Sequence, residues 1–154
     1  MSDFSETPLS PLLKEINLAA ENGLPFLAIA MTVALPHICA SLMSDNGRAQ
    51  GLEYKKWCDE NLDHRFSMLS SDDLYSFRCG LLHSGRSLGM KHKMKGVVFV
   101  PPYRGRVFED CSSNEMYLYS IVSFCRNMSD IVKTWYEKNK EHPNVQKHMP
   151  YMMQ

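Results

Sequence analysis

The stretch from Leu74 to Arg86, LYSFRCGLLHSGR, is the most informative run in the chain. Just before it, Ser70-Ser71-Asp72-Asp73 has the form of a helix start. Ser70 and Asp73 suit a capping box, and acidic side chains favour a helix N-terminus. Leu74, Leu81 and Leu82 supply apolar contacts, and Gly85 suits a left-handed stop. The run therefore predicts one helix ending just past His83, with Arg78 in its body.

Other helices follow on either side. Leu12, Leu13, Ile16, Ala19 and Ala20 recur at helical spacing within Leu9–Asn22. A second helix opens at Pro25, a good first-turn residue, and runs to about Met43, with Pro36 expected to kink or split it. Leu24 to Ser44 carries no charged residue and has nearly the length of a membrane span. Pro36 and His37 interrupt it, and its nearest flanking charges are Glu21 and Asp45, so it reads as a buried core helix. Gly51–Asn61 reads as a third helix with Leu52, Trp57 and Cys58 as its apolar contacts. Val97-Val98-Phe99-Val100 and Val107-Phe108 flank Arg104-Gly105-Arg106 and suggest a small β-hairpin. Ser112 to Glu115 resembles a second capping box. It is followed by an apolar stripe from Leu118 through Ile121, Val122, Cys125, Met128, Ile131, Val132 and Trp135, ending near Lys140.

The expected fold is all-α: an up-and-down bundle of four to five helices with a small β-hairpin insertion before the last helix. One domain spans 8–141, with flexible tails at 1–7 and 142–154.

The 154 residues carry no net charge, but the charge is segregated. Residues 1–77 balance to −6, residues 78–108 to +7 with no acidic residue, and the remainder to −1. An anionic partner would be drawn to the middle block. The five cysteines, Cys39, Cys58, Cys79, Cys111 and Cys125, form no CxxC pair, and no ligand cluster has zinc spacing. No metal or cofactor is expected. Free thiols and a polar, acidic start fit a reducing, cytoplasmic setting.

Arg78 and His83 suit one reaction class. A neutral imidazole can take the 2′-hydroxyl proton of RNA, and a guanidinium can offset charge on the phosphoryl oxygens, with no metal. Spacing alone says little, because 7 Arg and 6 His give about 0.3 such pairs per chain by chance. Five residues along a helix also turn through about 140°, so the two side chains converge only at a helix end or with help from a second copy. The plain alternative is an Arg bridged to a carboxylate and a His satisfied at the helix end.

LYSFRCGLLHSGRS resembles the HEPN superfamily, marked by Arg-x4–6-His near the end of a helix. Weaker similarity extends to the second helix, to LEYKKWCDENL, to the hairpin after the motif and to SIVSFCRNMSDIVKTWY. The resemblance implies a helical bundle and a homodimer with two motifs facing one cleft. It also implies a metal-independent RNA endonuclease or RNA-binding domain in toxin–antitoxin or defence systems, with an antitoxin or regulatory protein as partner. By position, Arg78 would steady the phosphate and His83 would be general base or acid. Active members usually place a polar residue after the Arg, where this chain has Cys79. The alternative within the family is a non-catalytic module binding a protein or nucleotide. Arg86, Lys91, Lys93, Lys95, Arg104 and Arg106 are candidate phosphate contacts, and Phe99 and Tyr103 candidate base-stacking rings. The competing reading is a solvated basic loop.

Overall fold

A computed structural model describes residues 6–86, 96–102 and 109–153. Among these, the elements run α1 (Ser10–Glu21), α2 (Pro25–Met43), α3 (Gly51–Asn61), α4 (Ser71–Ser84), β1 (Gly96–Val100), β2 (Cys111–Ser113), β3 (Met116–Ser120), α5 (Ile121–Asn139) and α6 (Pro143–His148). Single 3-10 turns lie at His64–Phe66 and Met149–Tyr151. The chain is mostly helical, with one small sheet.

The organising element is α2, which packs against α1, α3, α4, α5 and α6. Its apolar residues run all round the helix because neighbours cover most of its sides. Ala28, Val33, Leu35 and Cys39 are fully buried. It is the one helix among the described residues long and apolar enough to cross a membrane, and about half of it is buried inside the fold. Its first turn is the exception, with Leu24, Phe26 and Leu27 exposed.

Pro36 does not split this helix. The helix continues to Met43 with Pro36 buried. The proline removes one backbone donor. In the adjoining turn the Val33 carbonyl accepts a hydrogen bond from the Tyr54 hydroxyl at 2.8 Å, tying α2 to α3. The apolar contact on α3 is therefore Tyr54, fully buried with Trp57 and Cys58, whereas Leu52 points outward at 79% exposure. The helix begins one residue before Leu52, and that places Leu52 on the solvent side.

The β region differs from the sequence reading. The expected partner run Val107-Phe108 lies outside the described residues. β1 pairs in parallel with β3, and β2 pairs antiparallel with β3, giving strand order β1-β3-β2. The hairpin is β2–β3. Its turn is the segment read as a helix cap: Asn114 and Glu115 adopt positive φ of 49° and 60°. Leu118, placed by periodicity on the last helix, belongs to β3. The helix begins instead at Ser120, whose hydroxyl accepts from the Ser123 N–H at 3.3 Å. The alternation of Tyr117, Leu118 and Tyr119 competes with the helical spacing, and strand pairing decides between them.

The C-terminal segment also differs. Instead of a flexible tail, residues 143–148 form α6. Pro143 occupies its first turn and His142 caps it, the imidazole accepting from the Asn144 N–H at 3.1 Å. The Asn144 amide donates to the Met43 carbonyl and to Asp45. Val145 and Met149, four residues apart on one face, are buried. Two apolar anchors in a short polar segment are too few to show as a periodic pattern.

Candidate functional site

α4 forms as its sequence requires. The Ser70 hydroxyl accepts from the Asp73 N–H at 3.1 Å, and the Asp73 carboxylate accepts from the Ser70 N–H at 3.0 Å. At the far end Gly85 is left-handed, with φ 64°. The Gly85 N–H donates to the Leu81 carbonyl and the Arg86 N–H to the Gly80 carbonyl, closing the last turn. Leu74, Phe77 and Leu81 are buried, whereas Leu82 faces outward.

Arg78 is half-buried and turned towards α2 and α3. No carboxylate lies within ion-pair distance of it among the described residues. Its Nη1 approaches the Cys79 sulfur at 3.8 Å, and its Nε is buried without a hydrogen-bond partner. The expected alternative of an Arg bridged to a carboxylate is thus absent among these residues. Tyr75, one turn earlier, interacts with the Cys79 thiol, which together with burial pushes the phenol above its ordinary range. Its ring occupies the space a side chain at position 51 would need, since a Cβ on Gly51 would lie 2.5 Å from it. Lys55 sits 5.4 Å from that ring and pairs with Asp72 at 2.7 Å.

His83 is exposed in the last turn of α4. No hydrogen bond or ion pair joins it to Arg78 among the described residues. The two project about 140° apart around a regular helix. One copy of the chain therefore holds the motif's two members on different sides of α4. Arg86 is exposed beside Gly85. Lys91, Lys93, Lys95, Tyr103, Arg104 and Arg106 lie outside the described residues. Phe99 already stacks within the protein. Its half-buried ring packs against Phe77 at 6.0 Å, Tyr119 at 6.3 Å and Phe124 at 5.0 Å, at the edge of the core.

The histidine electrostatically coupled to Arg78 is instead His37. Burial, and then the Arg78 charge, lower the His37 pKa, while the Ala49 backbone and Glu53 oppose the shift. Its Nδ1 is buried and has no hydrogen-bond partner. In the sequence His37 stands out only as an interruption of the apolar run beside Pro36, because its link to Arg78 crosses from α2 to α4.

Compared with known proteins, the chain matches no family model, no curated protein and no solved structure.

Proposed function

We propose that this chain is a HEPN-like, metal-independent endoribonuclease that works as a homodimer in a defence or toxin–antitoxin setting. The observation that carries the reading is Arg78, a half-buried guanidinium with an orphaned Nε and no carboxylate partner among the described residues. A cation held in this way costs desolvation energy unless an anion completes it, and a phosphodiester supplies that anion. His83 is open to solvent at the end of the same helix.

In the reaction, His83 takes the proton from a ribose 2′-hydroxyl. The 2′ oxygen bonds to the adjacent phosphorus and the bond to the 5′ oxygen breaks. The departing oxygen takes a proton from water, and His83 returns the proton it gained to solvent. Arg78 offsets the charge that builds on the phosphoryl oxygens.

A non-catalytic HEPN-like module that binds a protein partner or nucleotide is the second reading. It is favoured by the divergence of Arg78 and His83 around α4 and by Cys79 beside the Arg. Incubating the purified protein with mixed RNA in EDTA separates the two. Cleavage to 2′,3′-cyclic phosphate and 5′-hydroxyl ends, lost in a folded His83→Ala variant, is the result expected of the enzyme. RNA that stays intact while retaining affinity for the protein fits the binding module.

A further inference from the structure

The chain has two tryptophans, and both line one cleft between α3 and α5. Trp57 of α3 and Trp135 of α5 meet edge to face, with ring centroids 6.3 Å apart, and each is 4% exposed. Their local sequences correspond. Trp57-Cys58-Asp59-Glu60-Asn61 and Trp135-Tyr136-Glu137-Lys138-Asn139 both read Trp-x-acid-x-Asn. Four residues make about one helical turn, so each Asn comes back to the carbonyl of its own Trp. The Asn61 amide nitrogen donates to the Trp57 carbonyl at 2.8 Å, and that of Asn139 to the Trp135 carbonyl at 2.7 Å. Both amides are thereby fixed by their helices, with their oxygens left as acceptors in the cleft wall.

The cleft holds about 480 Å³, within the range of small-ligand sites. Ala40 and Met43 at the end of α2 close it with apolar surface. On α3, Glu53, Lys56, Trp57 and Glu60 recur at three- and four-residue intervals and share one face. The tryptophan is buried at the floor, and the charged groups are exposed at the rim. Two carboxylates against one ammonium leave this rim net negative. Lys56 meets Glu60 only at 3.8 Å, with both side chains largely exposed, so the pairing does little to hold Glu60 from another cation.

The floor carries an independent signal. The Trp57 indole N–H is buried without a hydrogen-bond partner among the described residues. A buried unpaired donor is rare in a folded protein and marks where a bound group completes the structure. A neighbouring aromatic face is only a weak acceptor, whereas a ligand oxygen is a full one. The cleft therefore calls for three features in one molecule: a cation for the rim, an oxygen acceptor for the floor, and an apolar body for the indoles and Met43.

We propose that this cleft binds an α-amino amide, a protonated amine with a carbonyl oxygen one carbon away and an apolar side chain. The ammonium donates to Glu60 and to the Asn61 and Asn139 oxygens, and the carbonyl oxygen accepts from the Trp57 N–H. The side chain rests against Trp135 and Met43. Arg78 and His83 do not line the cleft, so its failure would leave the RNA-cleavage reading intact.

Tryptophan emission reports binding here directly, and isothermal titration gives the affinity independently. The full chain is titrated near pH 6.5, below the usual α-amino pKa of about 7.7–8.0, so that the amine is protonated. The probes are L-leucinamide, N-acetyl-L-leucinamide, which lacks the charge, and isoamylamine, which lacks the carbonyl. Leucinamide is expected to shift the emission and to bind at least tenfold tighter than either of the others. Glu60→Gln should weaken it at least fivefold, and Asn139→Leu severalfold. Glu15→Gln, the same charge change on α1 outside the cleft, should leave it unchanged. Trp57→Phe keeps a ring but removes the N–H, and should bring leucinamide and isoamylamine within threefold of each other. The tripeptide Leu-Gly-Gly distinguishes the amino end of a peptide from a free amino amide as the source of this chemistry, and tight binding of either supports the site. No binding at millimolar leucinamide, an acetylated probe that binds as tightly, or equal losses in Glu60→Gln and Glu15→Gln would overturn it.

Discussion

The two histidines related to Arg78 occupy opposite environments. His83 shares its helix, lies five residues away, is exposed and faces a different direction. His37 belongs to another helix, is distant in sequence, and is the one whose charge Arg78 opposes. Reactivity needs an open, titratable group, which suits His83. A half-buried imidazole beside a guanidinium resists protonation, which describes His37. Neighbours in sequence and neighbours in space are thus different sets, and each set implies a different chemistry.

The largest expected effect separates the two ends by activity. His83→Ala should lower RNA cleavage by about 10²-fold or more, the usual contribution of a general acid or base. His37→Asn should leave RNA cleavage within a few-fold of wild type. Equal losses in both variants, with circular dichroism showing native helix content, would merge the two ends into one site.

Next in size is the packing of the C-terminal segment on the core. Met149→Ala should cost about 2–3 kcal/mol in urea unfolding, as for other buried methionines. It should spare cleavage per folded molecule. A loss under 0.5 kcal/mol would mean that the C-terminal turn is not anchored to the core.

At the other end, Gly85→Ala meets no steric obstacle, since nothing lies within 4 Å of the added carbon. Its cost is backbone strain at φ 64°, about 1 kcal/mol. Because His83 lies two residues earlier, cleavage should fall further than stability does. A neutral effect on both would remove the helix end from the account.

The smallest effect is in pH. The His37 pKa is lowered in the fold, by burial first and Arg78 second. The unfolded chain therefore binds this proton more readily, and stability should fall as pH drops below the ordinary value of 6.5. His37→Asn should flatten that part of the profile by less than about 1 kcal/mol between pH 7 and pH 5.5. An unchanged slope would contradict the half-buried, neutral imidazole.

Much of the helical structure was legible because its signals are local. Capping residues at Ser70 and Asp73, the left-handed Gly85 and the apolar spacing of α1 sit within a few residues of the features they decide. Where the reading went astray, a distant partner decides the outcome. Leu118 fits a helical stripe, but pairing with β1 and β2 makes it a strand residue. Pro36 would break an isolated helix, yet five packed neighbours hold α2 together. α6 depends on two buried side chains and on Asn144 reaching the Met43 carbonyl. Of the candidate site, Arg78 and His83 could be picked from a single helix. The link between Arg78 and His37 could not, since it joins two helices distant in sequence and has no spacing signature.

The central claim is that Arg78 and His83 act together on an RNA phosphate although one copy holds them apart. Its most direct test is cleavage of RNA in EDTA by Arg78→Ala chains, His83→Ala chains and an equal mixture of the two. Each variant alone should be inactive, and the mixture should regain a measurable fraction of wild-type cleavage with 2′,3′-cyclic ends, because a mixed dimer rebuilds one complete site from two chains. Full activity in either single variant, or no recovery in mixtures shown to form mixed dimers, would contradict it.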